Sequence, residues 1–196
     1  MRRIVLIITT FFLLIVSPVL PQAERNVHFY LGGGAAVSIG DLADIASFAP
    51  LGQIGISIKP APVSSPELEL ITVFRYSRYV SEDDFHGDIQ FLMVGLEARL
   101  LLARPGTSGP YISIGGGYSR TKSDEYLYRR QIGPDNFNER VIPELIEHNP
   151  YISPGLGYDF GKSNGLRFYL EGRLVNVFGT RIKNLTFFPL TFGLRF

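Results

Sequence analysis

Nine charged side chains recur at every second position of four otherwise apolar stretches: Glu67, Glu69, Arg75, Glu97, Arg99, Arg167, Glu171, Arg173 and Arg195. Four carboxylates and five guanidinium groups on one row could line a path for ions, or pair with one another and fill the space between them. An interior enclosed by eight strands is only wide enough for side chains to fill it, which favours the paired plug. Neighbouring stretches then bring Glu67 and Glu69 to Arg99, and set Glu171 among Arg167, Arg173 and Arg195. Each such pair must be well hydrogen-bonded to offset its desolvation.

Other chemistry is thinly supplied. Nucleophilic catalysis needs a base within hydrogen-bond reach of the hydroxyl, and the chain has only three histidines, His28, His86 and His148. His86 shares a segment with Ser81, Asp83 and Asp84, and His148 lies between Glu147 and Ser153. The three are too dispersed for a zinc site, and solvated loop acids are the plain reading of Asp83-Asp84. There is no cysteine, which excludes a thiolate metal site and a disulfide framework. Gly32-Gly33-Gly34 and Gly115-Gly116-Gly117 lead into no helix with Lys-Ser/Thr, so they are not phosphate loops. Glycines in strands instead allow bends and let aromatic rings lie over them. No catalytic residue, metal or cofactor is nominated, and an enzyme is not expected.

The elements that must position the charged row are strands. Eight strand-like segments run over about 26–40, 51–59, 67–81, 88–102, 110–121, 149–160, 165–178 and 184–196. Several alternate with period two, the mark of a sheet with two different faces. Leu68, Leu70, Phe74 and Tyr76 alternate with Glu67, Glu69 and Arg75, and Phe188, Leu190, Phe192, Leu194 and Phe196 form one apolar row. The connections at 59–66, 103–110 and 160–165 are turn-like, the last carrying the hairpin signal Asn164-Gly165. The alternate connections are longer, above all the polar stretch from Thr121 to Asn149, as in an up-and-down membrane barrel with short periplasmic turns.

The N-terminus adds a compartment. Met1-Arg2-Arg3 precedes an apolar run from Ile4 to Val16 and then Ser17-Pro18-Val19-Leu20-Pro21-Gln22-Ala23, a secretory signal peptide over 1–23. Thirteen residues fall short of the ~20 of a spanning helix. Residues 24–196 then form one β-barrel domain. Without Arg2 and Arg3 the 19 basic residues become 17 against 18 acids, a net charge of −1. So balanced a chain is not a bulk nucleic-acid binder.

Which row faces outward decides between a membrane barrel and a soluble, lipocalin-like carrier. Phe188 to Phe196 covers eight steps, roughly 27 Å of strand, and a tilt of ~40° brings that near the ~25 Å apolar band of membrane barrels. Aromatics recur at strand ends: Tyr76, Tyr79, Tyr118 and Phe178 toward the outer rim, and Phe29, Tyr158, Phe160 and Phe168 toward the inner. The expected fold is therefore all-β, an eight-stranded antiparallel up-and-down transmembrane β-barrel. Pro154 and Pro189 fall inside strands, where proline cannot donate to a ladder. Each predicts a bulge or a strand paired on one side only.

The tail carried by Leu190, Phe192, Leu194 and Phe196 resembles the C-terminal signature of bacterial outer-membrane proteins, which the assembly machinery reads. With G-P-Y-I-S-I-G-G-G-Y-S at 109–119 and N-P-Y-I-S-P-G-L-G-Y-D-F-G at 149–161, nearly all of the chain after residue 23 resembles the small OmpA/OmpX-like barrel superfamily. The resemblance implies the bacterial outer membrane, its lipid including lipopolysaccharide, and the assembly machinery as partners; a monomer is expected. Some barrels of this kind remodel lipid A with a His, a Ser and an acid, but no His-x-Ser motif occurs here. The leading expectation is a structural or surface-interaction protein that presents its loops, chiefly 121–149, to an extracellular ligand or host surface. Tyr126, Tyr128, Arg129, Arg130, Phe137 and Arg140 are its candidate contact residues, since Tyr and Arg are typical of binding surfaces. The basic rim residues Arg78, Arg120, Lys122, Arg181 and Lys183 suggest contacts to lipopolysaccharide phosphates. A narrow porin-like channel is the alternative, and a lipid A-modifying enzyme a more remote one.

Overall fold

The computed structural model describes residues 27–43, 46–59, 67–81, 87–103, 107–131, 137–161, 166–180 and 183–196. The strands are β1 (Val27–Ile39), β2 (Phe48–Ile58), β3 (Glu67–Tyr79), β4 (Ile89–Leu101), β5 (Gly109–Ser123), β6 (Tyr126–Gln131), β7 (Phe137–Ile142), β8 (Leu145–Phe160), β9 (Arg167–Arg173), β10 (Val175–Thr180) and β11 (Lys183–Arg195). The order β1-β2-β3-β4-β5-β8 continues through β9 and β10 to β11, which pairs back onto β1. β9 and β10 are two halves of one stave separated by Leu174, so the wall is a closed, eight-stranded antiparallel barrel. β6 and β7 form a separate two-stranded sheet. The signal-peptide segment lies outside the described residues.

Closure depends on the C-terminal strand. β11 runs along β1 from Tyr30↔Arg195 to Ile39↔Thr186. At the lower rim the Phe29 N–H donates to the Phe196 carbonyl at 2.7 Å, and the Phe196 N–H donates back to Phe29 at 3.1 Å. Their rings stack, with centroids 6.3 Å apart. The row Leu190, Phe192, Leu194 and Phe196 lies on the outer face, with Phe192 and Phe196 more than half exposed.

The facing of the two rows is unambiguous. On β3 every odd-numbered residue is buried and every even-numbered residue is exposed. The largest fully buried side chains are arginines, Arg75, Arg99 and Arg173, while Leu70, Leu96, Leu156 and Leu190 stand exposed. A soluble carrier requires the reverse, so the lipocalin-like alternative fails. Tyr76, Tyr118, Phe178, Phe29, Tyr158, Phe160 and Phe168 lie on the outside as expected. Tyr79 does not: its odd number puts it in the lumen, fully buried, edge-on to Phe91 and Phe187.

Neither proline carries a bulge. Ile114↔Pro154 and Ala36↔Pro189 continue their ladders without a shift. Both prolines flank the same weak point. Leu174, where β9 stops, still donates its N–H to the Pro154 carbonyl at 2.9 Å. On the other side, the ladder to β11 resumes only at Gly172↔Leu190 and Val175↔Phe187. Pairing on one side accounts for Pro189. The one register shift in this stave lies between Val177 and Thr180. The loop asymmetry is also incomplete, because the upper connection between β10 and β11 spans only residues 181–182.

Candidate functional site

Two regions carry polar chemistry, the lumen and the upper rim. In the lumen the charged row, apart from Glu67, forms one connected network. Arg173 Nη2 donates to Glu97 at 2.6 Å and Glu171 at 2.7 Å, while its Nη1 reaches the Ser153 hydroxyl at 3.1 Å. Arg75 faces Glu97 at 2.5 Å and donates through Nε to Gln53 at 2.8 Å. Gln53 in turn donates to the Tyr169 hydroxyl at 2.8 Å. Lower down, Glu69 accepts from the hydroxyls of Tyr30 at 2.6 Å and Ser57 at 2.8 Å.

The partners differ from those expected. Arg99 lies opposite Glu69 in the ladder, yet its guanidinium sits 4.1 Å from the ring centroid of Tyr111 and 4.8 Å from that of Tyr30. Its carboxylate neighbours are Glu171 at 3.7 Å and Asp159 at 3.9 Å. Glu67 pairs with Lys59 at the lower rim, and Glu69 has Arg195 at 3.7 Å. Arg195 donates to Asp159 at 2.9 Å, and Arg167 stands 3.9 Å from the same carboxylate. Of the three arginines expected around Glu171, only Arg173 is bonded to it in the described contacts.

Asp159 is the residue that reading the sequence missed. Fully buried, it brings the buried charges of the lumen to five acids and five arginines among the described residues. Alternation along 149–160 contains the signal, since Asp159 shares its parity with the buried Tyr151 and Ser153. Buried tyrosines complete the packing by lying over inward glycines. A Cβ on Gly32 or Gly193 would collide with the Tyr169 hydroxyl, and one on Gly95 with that of Tyr151.

Above the charged layer the lumen turns apolar. Leu51, Tyr79, Phe91, Met93, Val175 and Phe187 pack together with Leu42 and Ala46 from the β1–β2 connection. A single 3-10 turn, Gly40–Leu42, folds that connection inward, so that Leu42 is fully buried. The lumen is thus filled by a charged layer and capped by an apolar one.

The upper rim is built from β5 and β8, which stay paired as far as Ser123↔Leu145, beyond the apolar belt that ends near Tyr118. There Lys122 Nζ bonds Asp124 at 2.6 Å and Glu144 at 2.8 Å, clamping the residues that lead into β6 and out of β7. Those two hydrogen bonds, Asp124 first, raise the Lys122 pKa. Arg78 grips Asp88 through Nε and Nη2 at 3.1 and 2.8 Å, and the Ser81 N–H donates to the same carboxylate at 3.1 Å. Burial pushes the Asp88 carboxyl up, but the Ser81 N–H and the Arg78 guanidinium outweigh it and hold its pKa below the ordinary value. Two cations expected to face lipid phosphate, Arg78 and Lys122, therefore already hold carboxylates. Arg120 is exposed on the outer face, opposite His148. Arg181 and the side chain of Lys183 lie outside the described residues.

The candidate catalytic groups are not assembled. His148 is exposed on the outer face, whereas Ser153 is buried in the lumen beneath Arg173. His28 lies near the lower rim, and His86 with Asp83 and Asp84 lies outside the described residues. Tyr126, Tyr128, Arg129, Arg130, Phe137 and Arg140 fall on β6 and β7, whose backbones pair from Tyr126↔Ile142 to Gln131↔Phe137. Their side chains lie outside the described residues.

Among solved structures, the chain is similar to Neisserial surface protein A, with a TM-score of 0.57 and 15% identity over 86% of this chain and 95% of that one. The fold is that of the small OmpA/OmpX-like outer-membrane barrels. Lower-scoring similarities to this fold include the N-terminal barrel domain of Pseudomonas aeruginosa OprF (TM-score 0.42, 19% identity, 89% and 100% covered). Another is Ail, the attachment invasion locus protein of Yersinia pestis (TM-score 0.44, 12% identity, 87% and 97% covered). No protein-family model and no curated protein matches the chain. On this fold the chain carries the Asp159-centred network, the inward-folded β1–β2 connection and the separate β6–β7 sheet.

Proposed function

We propose that this chain is a bacterial outer-membrane barrel with a structural or surface-interaction role, exported by the segment 1–23 and presenting 121–149 to the outside. The observation that carries this reading is the contrast between its two ends of chemistry. The lumen is occupied by ion pairs below and by Leu42, Phe91 and Phe187 above. The wall meanwhile continues past the apolar belt in the β5–β8 extension, beyond which β6 and β7 form a sheet of their own. A pore would need an open lumen. The apolar outer belt calls for lipid, since unpaired strands and exposed apolar rows both fit hydrocarbon only as a closed barrel. Among the described residues, lipopolysaccharide contacts fall to Arg120, and assembly rests on the seam row Leu190 to Phe196.

Two measurements test it. The outer-membrane fraction is run unboiled and boiled in detergent; a heat-dependent mobility shift is expected, and its absence together with a soluble periplasmic protein would reverse the localisation. Cells expressing the chain without residues 124–146 should keep that shift but lose attachment to the surfaces that the intact chain confers. Ion conductance in planar bilayers from the intact barrel would instead favour the channel reading.

A further inference from the structure

Two arginines stand directly opposite each other on the inner face of the barrel, Arg195 on β11 and Arg167 on β9. Both are almost fully buried, at 2% and 4% exposure. Like charges directly opposite in a ladder destabilise it. One carboxylate oxygen serves both: Asp159 Oδ2 accepts from Arg195 at 2.9 Å and lies 3.9 Å from Arg167. Glu69 stands 3.7 Å from Arg195 but already accepts the hydroxyls of Tyr30 and Ser57. The Phe196 carbonyl turns to the other neighbour, where it takes the Phe29 N–H.

The charge balance points to the same place. The described residues bury five arginines and five carboxylates. One of those carboxylates, Glu67, is held at the lower rim by Lys59. Four carboxylates therefore remain for five guanidinium groups. The upper half is even, with Arg75 and Arg173 on Glu97 and Glu171. The surplus lies in the lower half, where Arg99, Arg167 and Arg195 surround Glu69 and Asp159. A buried charge without its counter-charge is costly.

Polar atoms are also left over there. Arg195 Nε and His28 Nε2 are buried and have no hydrogen-bond partner among the described residues. The charges acting on His28 are three cations, Arg195, Lys59 and Arg167, against one carboxylate, Glu69. Lys59 follows the last residue of β2 and His28 is the second residue of β1, so this positive field opens at the lower mouth.

We propose that the lower mouth of the lumen binds a small oxyanion of the phosphate class, held between Arg167 and Arg195 with Lys59 at its entrance. This goes beyond the surface role and takes from the reading above only the orientation of that mouth toward the periplasm. Guanidinium forks bind oxyanions through paired hydrogen bonds. An anion between the two arginines supplies the missing counter-charge and relieves their repulsion across the ladder.

The test uses the full chain folded in micelles of an uncharged, phosphate-free detergent. Inorganic phosphate is titrated at constant ionic strength, and the urea midpoint of the heat-shifted band is read. The midpoint should rise with phosphate as binding to the folded state requires. Arg167→Gln should weaken the apparent affinity about tenfold or more, as loss of one member of a buried charge pair does. Without phosphate the same variant should keep or raise the midpoint, because the repulsion with Arg195 is gone. Lys59→Gln removes the entrance cation and releases Glu67, so it should weaken the response too, and it carries the test if Arg167→Gln does not fold. Arg78→Gln, at the upper rim, should change the affinity less than about twofold. Equal stabilisation by chloride would reduce the effect to screening and overturn the site. A flat phosphate response of the intact chain would overturn it as well. So would an Arg167→Gln barrel that is less stable without phosphate and still responds to it, since Arg167 would then serve only to hold Asp159. In each of these cases the gel shift persists and the surface role stands.

Discussion

Arg173 on β9 donates to Glu97 on β4 across the lumen, with Nη2 and Oε2 2.6 Å apart. The same carboxylate takes Arg75 on its other oxygen. Glu97→Leu leaves two guanidinium groups without their shared partner inside the barrel. Removing one member of a buried pair typically costs about 3–5 kcal/mol, whereas replacing the whole group with apolar residues is close to neutral. The urea midpoint of the heat-shifted band should fall sharply in Glu97→Leu. It should recover in part when Arg75 and Arg173 are both made Met. An unchanged midpoint in the single variant would mean that the network contributes nothing to stability.

The Tyr169 hydroxyl occupies the space above Gly32 and Gly193, on the two strands that close the barrel. Gly193→Val should displace the ring and break its hydrogen bond from Gln53. Overpacking of this kind costs about 1–3 kcal/mol. Refolding into micelles followed by urea titration reads it, and the same substitution at Gly52, where a Cβ meets nothing within 4 Å, should leave the midpoint near wild type.

Leu42 is the side chain that the β1–β2 connection inserts into the apolar cap. Leu42→Ala should cost about 2–5 kcal/mol if the cap is packed like a core. Conductance should remain closed in planar bilayers, because the charged layer below is untouched. Opening of a steady channel by this one substitution would show that the cap alone seals the barrel.

Asp88 anchors the start of β4 to Ser81 and Arg78. Its pKa is lower folded than unfolded, so its contribution is present above the unfolded value of about 3.9 and is lost as pH falls through the lower folded value. The pair is largely solvated, which keeps the effect small. Amide exchange at Ser81 should be protected at neutral pH. Protection should weaken in acid below about pH 4, and Asp88→Asn should weaken it at neutral pH.

Removal of Phe196 deletes the two backbone hydrogen bonds and the ring contact that finish the seam against Phe29. Insertion into the outer membrane should fall, read as loss of the heat-shifted species with accumulation of the unfolded chain. Phe196→Tyr, which keeps the ring and the backbone, should restore most of it.

Period-two alternation specified the strands and their two rows, because alternation is a local property of each strand; the length of the Phe188–Phe196 row and the aromatic strand ends, not the alternation, indicated which row faces lipid. The alternation also contained Tyr79 and Asp159, whose parity places both inside. What the sequence could not supply was the partner of each charge. Arg99 stands opposite Glu69 on adjacent strands, but the lumen brings it Tyr111, Asp159 and Glu171 from other staves. That choice depends on the stagger and tilt with which the sheet closes, a property of all eight staves together. The inward turn at Leu42 likewise answers an apolar space that exists only once Phe91, Val175 and Phe187 have met. The same is true of the β6–β7 sheet: residues 121–149 read as one long polar loop, and only the fold pairs the backbone of β6 with that of β7 from Tyr126↔Ile142 to Gln131↔Phe137.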